Sequence, residues 1–560
     1  MKKLFLLSFL VLFCSVMFAQ QFQPPRGSMN GILQTNSSFN LDLNINSPLP
    51  VSENKGIPWN ENGLKGCVAD FNGDGVDDFI ITGLHWVDTD VSANTKGFLR
   101  VYYGQTSGTP VIAYKDDDFP VVGNGSIDCT KLDDGTFLIA IQGGAKGNWT
   151  APYTGWVYKL TAEETTATFE PVVELDNGAG RGSILFLDID MDGYMDIFQL
   201  GWADNVAWKN QANVYINEGA NDWWNFEGDC GIRAAANTFA FAYDMNNDGK
   251  TDIIFPIQSG SLANGDPRGI MIYYNNGDGT FDQYNAMSFY SSERLDDYYF
   301  RGEDDLSQIQ LVDFDGDGWM DIIFAGSIDN KSDIFGGWEF TCVVLKNKQD
   351  GTFEELPFID GDNSILMGGQ RGDWVAADFD GDGIQDLIGG FENQYRPSGG
   401  WSSRTYFFKG KGDGTFEQTD ITLTNDYPDG IPMMCRRGNF GRMLTGDFNG
   451  DKQPDLLVFG APYTDGIRVN RAIMYLNVVQ NYQHGTKVQE IAVSPVAITA
   501  YNNRITVSGA ANQTVSVYSI TGVLVKNEIL TSGNASFTVN APSGIYIVKA
   551  GSAVQKVILK

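Results

Sequence analysis

The sequence predicts an all-β protein, in which a seven-bladed β-propeller is followed by a small C-terminal β-sandwich. Three observations lead to this fold class. An acidic nine-residue loop recurs six times, a short apolar run rich in β-formers follows every copy, and the copies are spaced at near-regular intervals. Four-stranded units that repeat in this way, without helical periodicity, are typical of propeller blades.

Each acidic loop reads Asp-x-Asp/Asn-x-Asp-x-x-x-Asp, and we name each copy by the number of its first residue: loops 70, 188, 244, 313, 378 and 447. Oxygen ligands at positions 1, 3, 5 and 9, with the carbonyl of position 7, suit the flexible coordination of Ca²⁺. A single copy would be weak evidence, because Asp and Gly also crowd ordinary turns. The predicted metal ligands are Asp70, Asn72, Asp74, Val76, Asp78, Asp188, Asp190, Asp192, Tyr194, Asp196, Asp244, Asn246, Asp248, Lys250, Asp252, Asp313, Asp315, Asp317, Trp319, Asp321, Asp378, Asp380, Asp382, Ile384, Asp386, Asp447, Asn449, Asp451, Gln453 and Asp455.

A helical calcium loop is excluded by the position of its last ligand. Such loops need a carboxylate at position 12. The residues at that position are Ile81, Gln199, Phe255, Phe324, Gly389 and Val458. Apolar runs such as DFIITG and DIIFAG instead follow position 9 and indicate buried strands. The acidic loop is therefore predicted to be the turn of a β-hairpin.

The spacing of the loops predicts seven units. The first interval is 118 residues, about twice the other four, which are 56, 69, 65 and 69. A degenerate copy that begins at Asp128 fills this interval. Thr130 and Leu132 replace two oxygen ligands there, so we expect no metal in this unit.

Within each unit we expect the order strand, acidic loop, strand, variable loop, strand, tight turn, strand. Asp-Gly turns such as NNGDGTF at 275–281 are strong hairpin signals. The seventh unit lacks such a turn after Asn477. Its outer strand is predicted to come from the start of the mature chain, at residues 39–45, where polar and apolar residues alternate.

These repeats resemble the FG-GAP and VCBS repeat family, the propeller repeats that also occur in integrin α-subunits. The resemblance covers roughly residues 30–480, and the acidic loops are its specific part. It implies calcium bound within the blades, usually in secreted or surface proteins that bind other molecules. Only the unit at Asp128 departs from the pattern.

Both ends of the chain contain predicted targeting segments. Residues 1–19, with Lys2 and Lys3 before an apolar run, predict an export signal, and no later stretch is long enough for a membrane span. After a linker at 481–488, residues 489–560 predict a separate β-sandwich. This segment resembles the C-terminal sorting domain of the type IX secretion system, whose pattern it matches at Tyr518, Gly522, Gly544, Tyr546, Val548 and residues 556–560. The resemblance implies that the type IX secretion machinery is a partner of this protein. It also implies a Bacteroidetes-type bacterium that either releases the protein or holds it at the outer surface.

Five cysteines follow the export signal, at Cys67, Cys129, Cys230, Cys342 and Cys435. Their number is odd and each falls in a different unit. We expect buried, unpaired side chains, and the alternative is a disulfide between Cys67 and Cys129 of adjacent blades.

The formal net charge of −32 disfavours nucleic acid and anionic membranes as partners. The acidic loops account for much of this charge. Millimolar Ca²⁺ would stabilise the fold by roughly 0.4–1.4 kcal/mol at each extracellular-type site. Summed over about six ions, this is comparable with the whole stability of an ordinary domain, so calcium is predicted to be structural.

The variable loops, on the face opposite the acidic loops, form the predicted ligand-binding region. These segments are rich in aromatic residues, whose flat rings suit sugars, and the alternative is that the rings pack between blades. The candidate residues are His85, Trp86, Trp149, Trp156, Trp202, Trp208, Trp338, Tyr395, Trp401 and Tyr463.

The leading hypothesis is a secreted or surface-exposed propeller that binds an extracellular glycan or protein. The alternatives are a polysaccharide lyase or hydrolase on the same scaffold and a purely structural adhesion component. The enzyme hypothesis has little support, because the chain has only two histidines and no Ser-His-Asp order, HExxH or phosphate loop. No catalytic residue is assigned, although His85 with Asp88 and an Arg that faces them would be the place to look.

Overall fold

The computed structural model divides the chain into two compact units, Met1–His484 and Gly485–Lys560. The residues described in the first unit are 33–40, 65–86, 95–120, 123–132, 134–144, 153–203, 210–219, 223–225, 230–235, 238–257, 269–288, 298–301, 308–330, 338–356, 370–395, 400–421, 431, 442–460, 463–464, 467–468 and 471–479. Those described in the second unit are 497–501, 504–508, 514–519, 524–529, 535–539, 541–542, 544–550 and 553–559. Within these ranges, no helix has the length and apolar character that crossing a membrane requires.

The first unit is built from antiparallel sheets of four or five strands. The strand β1 (Leu33–Asn40) precedes them. Sheet 1 contains β2 (Lys65–Ala69), β3 (Asp78–Trp86), β4 (Thr95–Tyr103) and β5 (Val111–Phe119). Sheet 2 contains β6 (Gly123–Lys131), β7 (Phe137–Gly144), β8 (Tyr153–Ala162) and β9 (Ala167–Leu175). Sheet 3 contains β10 (Ala179–Gly180), β11 (Ile184–Leu187), β12 (Asp196–Ala203), β13 (Asn210–Asn217) and β14 (Trp223–Asn225).

The later sheets repeat this order. Sheet 4 contains β15 (Phe241–Tyr243), β16 (Asp252–Ile257), β17 (Gly269–Asn275) and β18 (Phe281–Ser288). Sheet 5 contains β19 (Tyr298–Arg301), β20 (Gln308–Val312), β21 (Asp321–Asn330), β22 (Trp338–Asn347) and β23 (Phe353–Leu356). Sheet 6 contains β24 (Gln370–Ala377), β25 (Asp386–Tyr395), β26 (Gly400–Gly410) and β27 (Phe416–Asp420). Sheet 7 contains β28 (Arg442–Gly446), β29 (Asp455–Gly460), β32 (Arg471–Asn477) and β1, and a two-stranded sheet of β30 (Tyr463–Thr464) and β31 (Ile467–Arg468) stands apart from it.

The sheets of the first unit form a closed ring. Strands at the inner side of the sheets contact the next sheet: β2 contacts β6, β6 contacts β11, β11 contacts β15, β20 contacts β24, β24 contacts β28, and β28 returns to β2. Sheet 4 contacts sheet 5 through its second strand, because β16 contacts β20. Two backbone hydrogen bonds join sheet 1 to sheet 7, from Asp77 N to Asp447 O (2.9 Å) and from Gln105 N to Phe448 O (3.1 Å). The all-β propeller prediction is therefore confirmed.

The core lies between adjacent sheets because alternate residues of each strand face opposite neighbours. One cluster joins Ile80 and Leu99 of sheet 1 to Ile139 and Leu160 of sheet 2, and each of these four side chains is fully buried. The second strand of a sheet is buried on both faces, which explains why each acidic loop is followed by a continuous apolar run.

The outer strand of sheet 7 comes from the start of the described chain, but its predicted position was wrong. The strand β1 pairs antiparallel with β32, with Leu33 opposite Asn477 and Asn40 opposite Arg471. It therefore ends where the predicted strand at 39–45 was expected to begin, and residues 41–45 lie outside the described ranges. An outer strand has a free edge and one solvated side, so hydrophobic alternation is a weak guide to its position. Leu33, the residue of β1 whose side chain is described, is 3% exposed.

The four described cysteines, Cys67, Cys129, Cys230 and Cys342, are all free thiols. This state agrees with the expectation of unpaired side chains. Cys67 and Cys129 are nevertheless neighbours across the junction of sheets 1 and 2, and Cys129 together with burial raises the pKa of the Cys67 thiol. Cys435 lies outside the described residues.

The second unit consists of two facing sheets around one core. One sheet contains β33 (Ala497–Tyr501), β34 (Arg504–Ser508) and β37 (Ala535–Thr538). The other contains β35 (Thr514–Ser519), β36 (Leu524–Ile529), β38 (Gly544–Ala550) and β39 (Ala553–Leu559). Val507 of the first sheet and Val517 and Val548 of the second share a buried cluster. The predicted C-terminal β-sandwich is confirmed.

Candidate metal centres

Each acidic loop is the turn of a β-hairpin, as predicted. The last residue of the inner strand pairs with position 9, which is the first residue of the second strand. Examples are Ala69 with Asp78, and Val312 with Asp321. The remaining eight residues of the loop therefore form the whole connection between the two strands.

The backbone at positions 4 and 6 explains why glycine is frequent in these loops. Both positions have positive φ in all six loops, for example 75° at Gly73 and 85° at Gly75. Glycine adopts this region without the steric cost that other residues incur. Met191, Asn247 and Lys452 adopt it with φ values of 64°, 53° and 66°. The shape of the loop is thus kept even where glycine is absent.

The carboxylate at position 1 organises the turn. In every loop it accepts hydrogen bonds from the backbone N–H groups of positions 5 and 6, as Asp70 does from Asp74 N (3.1 Å) and Gly75 N (3.0 Å). The oxygen at position 5 accepts in turn from the N–H of position 7, as Asp74 does from Val76 N (2.9 Å). These bonds fold the loop so that its side-chain oxygens turn inward.

The carboxylate at position 9 is the most deeply buried group of each loop. One of its oxygens accepts the backbone N–H at the end of the third strand, at 2.7–2.9 Å in all six loops. Each of the six side chains is at most 1% exposed. Burial raises the pKa of Asp78, Asp196 and Asp252 to about 7, and that of Asp321 and Asp455 to about 8. Without a cation, the ionised form of this group is costly.

In three loops the carboxylates converge on one point. Oxygens at positions 1, 3 and 9 lie within 4.8 Å of one another in loops 188, 313 and 378. Position 3 of the other three loops is Asn, which supplies an amide oxygen in place of a carboxylate. Carboxylate and amide oxygens at this spacing are the donors that Ca²⁺ prefers.

Lysine ammonium groups from the third strand reach two of these clusters. Lys346 pairs with Asp315 at position 3 of loop 313. Lys409 pairs with both Asp380 and Asp382 of loop 378, the latter at 2.7 Å. Both loops have four carboxylates at ligand positions, so each lysine offsets one negative charge.

The residues of the clusters fit a divalent cation. Asp321 Oδ2 is buried and has no hydrogen-bond partner at normal distance among the described residues. A buried carboxylate oxygen without a donor is costly, and a metal ion would remove that cost. The donor set contains oxygen only, which favours Ca²⁺ over zinc or copper.

A residue at the end of the third strand links neighbouring sheets, and the sequence analysis overlooked it. Asn347 Nδ2 donates to Met245 O of loop 244 (2.9 Å), and Asn477 Nδ2 donates to Phe379 O of loop 378 (2.8 Å). Asn217 and Asn275 occupy the same place in sheets 3 and 4. The signal was an Asn that recurs at the end of the third strand in four units.

The degenerate unit has no nine-residue loop. Asp128 lies within β6, opposite Ala140, and a tight turn closes the hairpin by a bond from Leu132 N to Thr136 O (2.8 Å). Asp128 Oδ2 accepts the N–H of Phe186 in sheet 3 (2.8 Å). This carboxylate therefore joins two sheets through a hydrogen bond.

Two of the ten ligand candidates have described side chains, and both pack inward. Trp202 is 6% exposed, with Arg181 Cζ lying 4.5 Å from its ring centroid. Trp156 is half-buried against the core between sheets 1 and 2. These two aromatics thus follow the alternative of packing within the propeller. The strands that contain His85, Trp86, Trp338, Tyr395, Trp401 and Tyr463 are described without their side chains, and Trp149 and Trp208 lie outside the described residues.

Sequence comparison identifies repeats of a known kind in the middle of the chain. A family described as FG-GAP-like repeat matches residues 244–324 and 313–389. A second family, described as a domain of unknown function (DUF6383), matches residues 485–559. FG-GAP-like repeats therefore include loops 244, 313 and 378. No curated protein sequence matches the chain.

Several solved structures have a similar arrangement at very low identity. A fungal alcohol oxidase of the AA5 family, in complex with copper, has a TM-score of 0.43 at 13% identity over 94% of this chain and 100% of that one. The GH93 α-L-arabinofuranosidase of Fusarium graminearum, in complex with arabinobiose, has a TM-score of 0.38 at 9% identity, over 81% of this chain and 96% of that one. PorZ, a surface component of the type IX secretion system of Porphyromonas gingivalis, has a TM-score of 0.37 at 10% identity, over 90% of this chain and 59% of that one. Similarities this distant transfer no activity to this chain.

Proposed function

We propose that this protein is an exported, calcium-stabilised propeller that binds an extracellular glycan or protein. The convergence of carboxylate oxygens within 4.8 Å in loops 188, 313 and 378 is the observation that supports the proposal most strongly. Calcium would be held by positions 1, 3, 5 and 9 with the carbonyl of position 7. The ion would supply the positive charge that these buried carboxylates need.

The ligand face lies opposite the acidic loops. Successive strands of each sheet are antiparallel, so the acidic loops and the outer turns share one face of the ring, and the variable loops share the other. The first face is occupied by the repeated hairpin turns, which leaves the variable face for recognition. Aromatic residues in these loops suit sugars, whose apolar C–H faces stack on rings.

A glycan array tests the binding function. We expect the full chain, in millimolar Ca²⁺, to bind at least one glycan class without changing it, and chelation of Ca²⁺ to abolish binding. Release of products with unsaturated ends that absorb in the ultraviolet would replace the binding function by a lyase. Binding to whole cells or matrix protein, without affinity for any sugar, would assign adhesion through a protein partner.

We further propose that the second unit directs export by type IX secretion, after an N-terminal signal has led the chain across the inner membrane. The support is the sequence pattern around Tyr518 and Tyr546 on a separately folded sandwich. In a bacterium that has this system, deletion of residues 485–560 should leave the propeller in the periplasm. Unchanged delivery of the truncated chain to the cell surface or medium would contradict this role.

A further inference from the structure

Four side chains from four different repeats meet on the axis of the ring. Lys65, Phe239, Asp373 and Arg442 each lie five residues before position 1 of an acidic loop, namely loops 70, 244, 378 and 447. Because the repeats share one register, these four residues stand at one height along the inner strands. We call them the axial layer.

The contacts within the axial layer cross the ring. Lys65 Nζ lies 3.6 Å from the centroid of the Phe239 ring, and Arg442 Cζ lies 4.8 Å from it. Phe239 lies two residues before the inner strand of sheet 4, whereas Lys65 and Arg442 belong to the adjacent sheets 1 and 7 on the far side. An aromatic face with two cations around it therefore fills the middle of the ring.

The axial layer has an excess of buried positive charge. Lys65 is 8% and Arg442 is 6% exposed. Among the described residues their carboxylate neighbour is Asp373, which lies 3.5 Å from Arg442 Nη1 and also accepts the N–H of Met443 at 2.7 Å. Burial and the charge of Arg442 lower the pKa of Lys65 well below its usual value.

Arg442 has capacity for a further acceptor. Its Nε and Nη2 atoms are buried and have no hydrogen-bond partner in the described part of the chain. A buried guanidinium with open donors is costly, and these donors match the two oxygens of a carboxylate. The chain as a whole has a net charge of −32, so two buried basic side chains with one carboxylate between them need an explanation.

We infer that the axial layer binds the carboxylate of an acidic sugar, and this inference rests on the proposed glycan-binding function. The inner strands run from the variable-loop face towards the acidic loops, so the layer lies at the ligand-facing end of these strands. Lys65 and Arg442 would hold the carboxylate. Phe239, which is half-buried, offers its ring to the apolar face of the same sugar. The substrate class is thus a uronic acid-containing glycan.

Calorimetric titration of the full chain with two matched probes tests this inference. The probes are an oligomer of β-1,4-linked glucose and its counterpart of glucuronic acid, both in millimolar Ca²⁺. We expect the acidic oligomer to bind at least about tenfold more tightly, since a buried charge pair contributes this much or more. Lys65→Met and Arg442→Gln should each weaken its binding about tenfold, with little effect on the neutral oligomer.

A substitution that is expected to tighten binding, rather than weaken it, distinguishes an effect on the binding site from damage to the fold. Asp373→Asn removes the internal carboxylate but keeps an oxygen for Met443 N, so it should tighten binding of the acidic oligomer about threefold. Lys159→Met serves as a charge-matched control, because Lys159 pairs with Asp134 (3.0 Å) away from the axis. It should leave both affinities unchanged.

Equal binding of both probes, or weakening by Asp373→Asn as well as by Lys65→Met, would overturn the inference. If neither probe binds but the glycan array finds a neutral ligand, the axial site is wrong and the proposed function stands. If no ligand of any kind binds, the axial site and the proposed glycan-binding function are both wrong.

Discussion

The carboxylate at position 9 has the most demanding environment of any residue in the acidic loops. It is buried, accepts backbone hydrogen bonds from the loop or the third strand, and lies beside two other carboxylates in three of the loops. Burial and neighbouring negative charge both favour its neutral form, whereas a bound cation favours the ionised form. With calcium bound as proposed, this residue would tie the stability of a hairpin to the presence of metal.

Lys346 should weaken calcium binding at loop 313, because its ammonium group pairs with Asp315 at position 3. Lys346→Met is expected to raise the affinity of this loop roughly three- to tenfold, since a competing positive charge is removed. Trp319 at position 7 should sensitise Tb³⁺ luminescence, and displacement of Tb³⁺ by Ca²⁺ then gives the affinity. Lys159→Met is the control. Unchanged affinity in Lys346→Met would show that the ammonium group does not face the metal.

Asp128 should make sheet 2 sensitive to pH. Burial raises the pKa of this carboxyl from its usual 3.8 to about 6. The fold therefore favours the neutral form, and the associated stability is present below about pH 4 and lost as the pH rises through about 6. The neighbouring Cys129 side chain and burial raise the pKa of the Cys67 thiol, which therefore stays neutral in this range.

Asp128→Asn is expected to stabilise the protein by about 1–2 kcal/mol at pH 7.5 and to change nothing at pH 4. The amide oxygen can still accept the N–H of Phe186. Thermal melting across this pH range, in saturating Ca²⁺, checks the prediction. A variant that is less stable than wild type at pH 7.5 would show that the carboxylate is needed in its ionised form.

At the scale of the strand and hairpin, the third strand of sheets 5 and 7 connects its blade to the one before it. Its last residue donates its backbone N–H to position 9 of its own sheet, and where that residue is Asn347 or Asn477 the side chain also donates to the preceding acidic loop. Hydrogen bonds between loops thus reinforce the apolar contacts between sheets.

Removal of this amide should loosen the junction between sheets 4 and 5. Asn347→Ala loses the bonds to Met245 O and Met320 O in a buried setting, so we expect a loss of about 1–3 kcal/mol in unfolding free energy. Chemical denaturation in saturating Ca²⁺ measures this change in unfolding free energy. Asn276→Ala is the control, because Asn276 is exposed and bonds only locally, to Thr280 Oγ1 (3.1 Å). Equal effects of both substitutions would contradict a role between blades.

The sequence predicted the structure best where a repeated set of ligand residues is followed at once by a strand-like apolar run. The repeated Asp pattern predicted the hairpins because a fixed set of oxygens requires a fixed turn. The position of β1 was missed because an edge strand of polar residues has no strong periodicity. Trp202 was assigned to the ligand face because sequence alone cannot tell an aromatic in a variable loop from one that packs beside Arg181. The axial layer was invisible, since it brings together residues from four distant units.

At the scale of the whole molecule, the ring depends on closure. Sheet 7 combines strands from both ends of the first unit, and backbone bonds join it to sheet 1. A propeller closed in this way unfolds as one body when a junction fails. If six hairpins around the ring depend on calcium, the ions would therefore all stabilise the propeller against the same cooperative unfolding transition.

The most direct measurement is the calcium content and melting of the full chain after removal and return of the metal. Dialysis against chelator, then against buffered millimolar Ca²⁺ with elemental analysis, should give about six ions per chain, and chelation should lower unfolding free energy by very roughly 2–8 kcal/mol. Asp321→Asn should bind one ion fewer. A chain that takes up no calcium and melts at the same temperature with and without chelator would contradict the account.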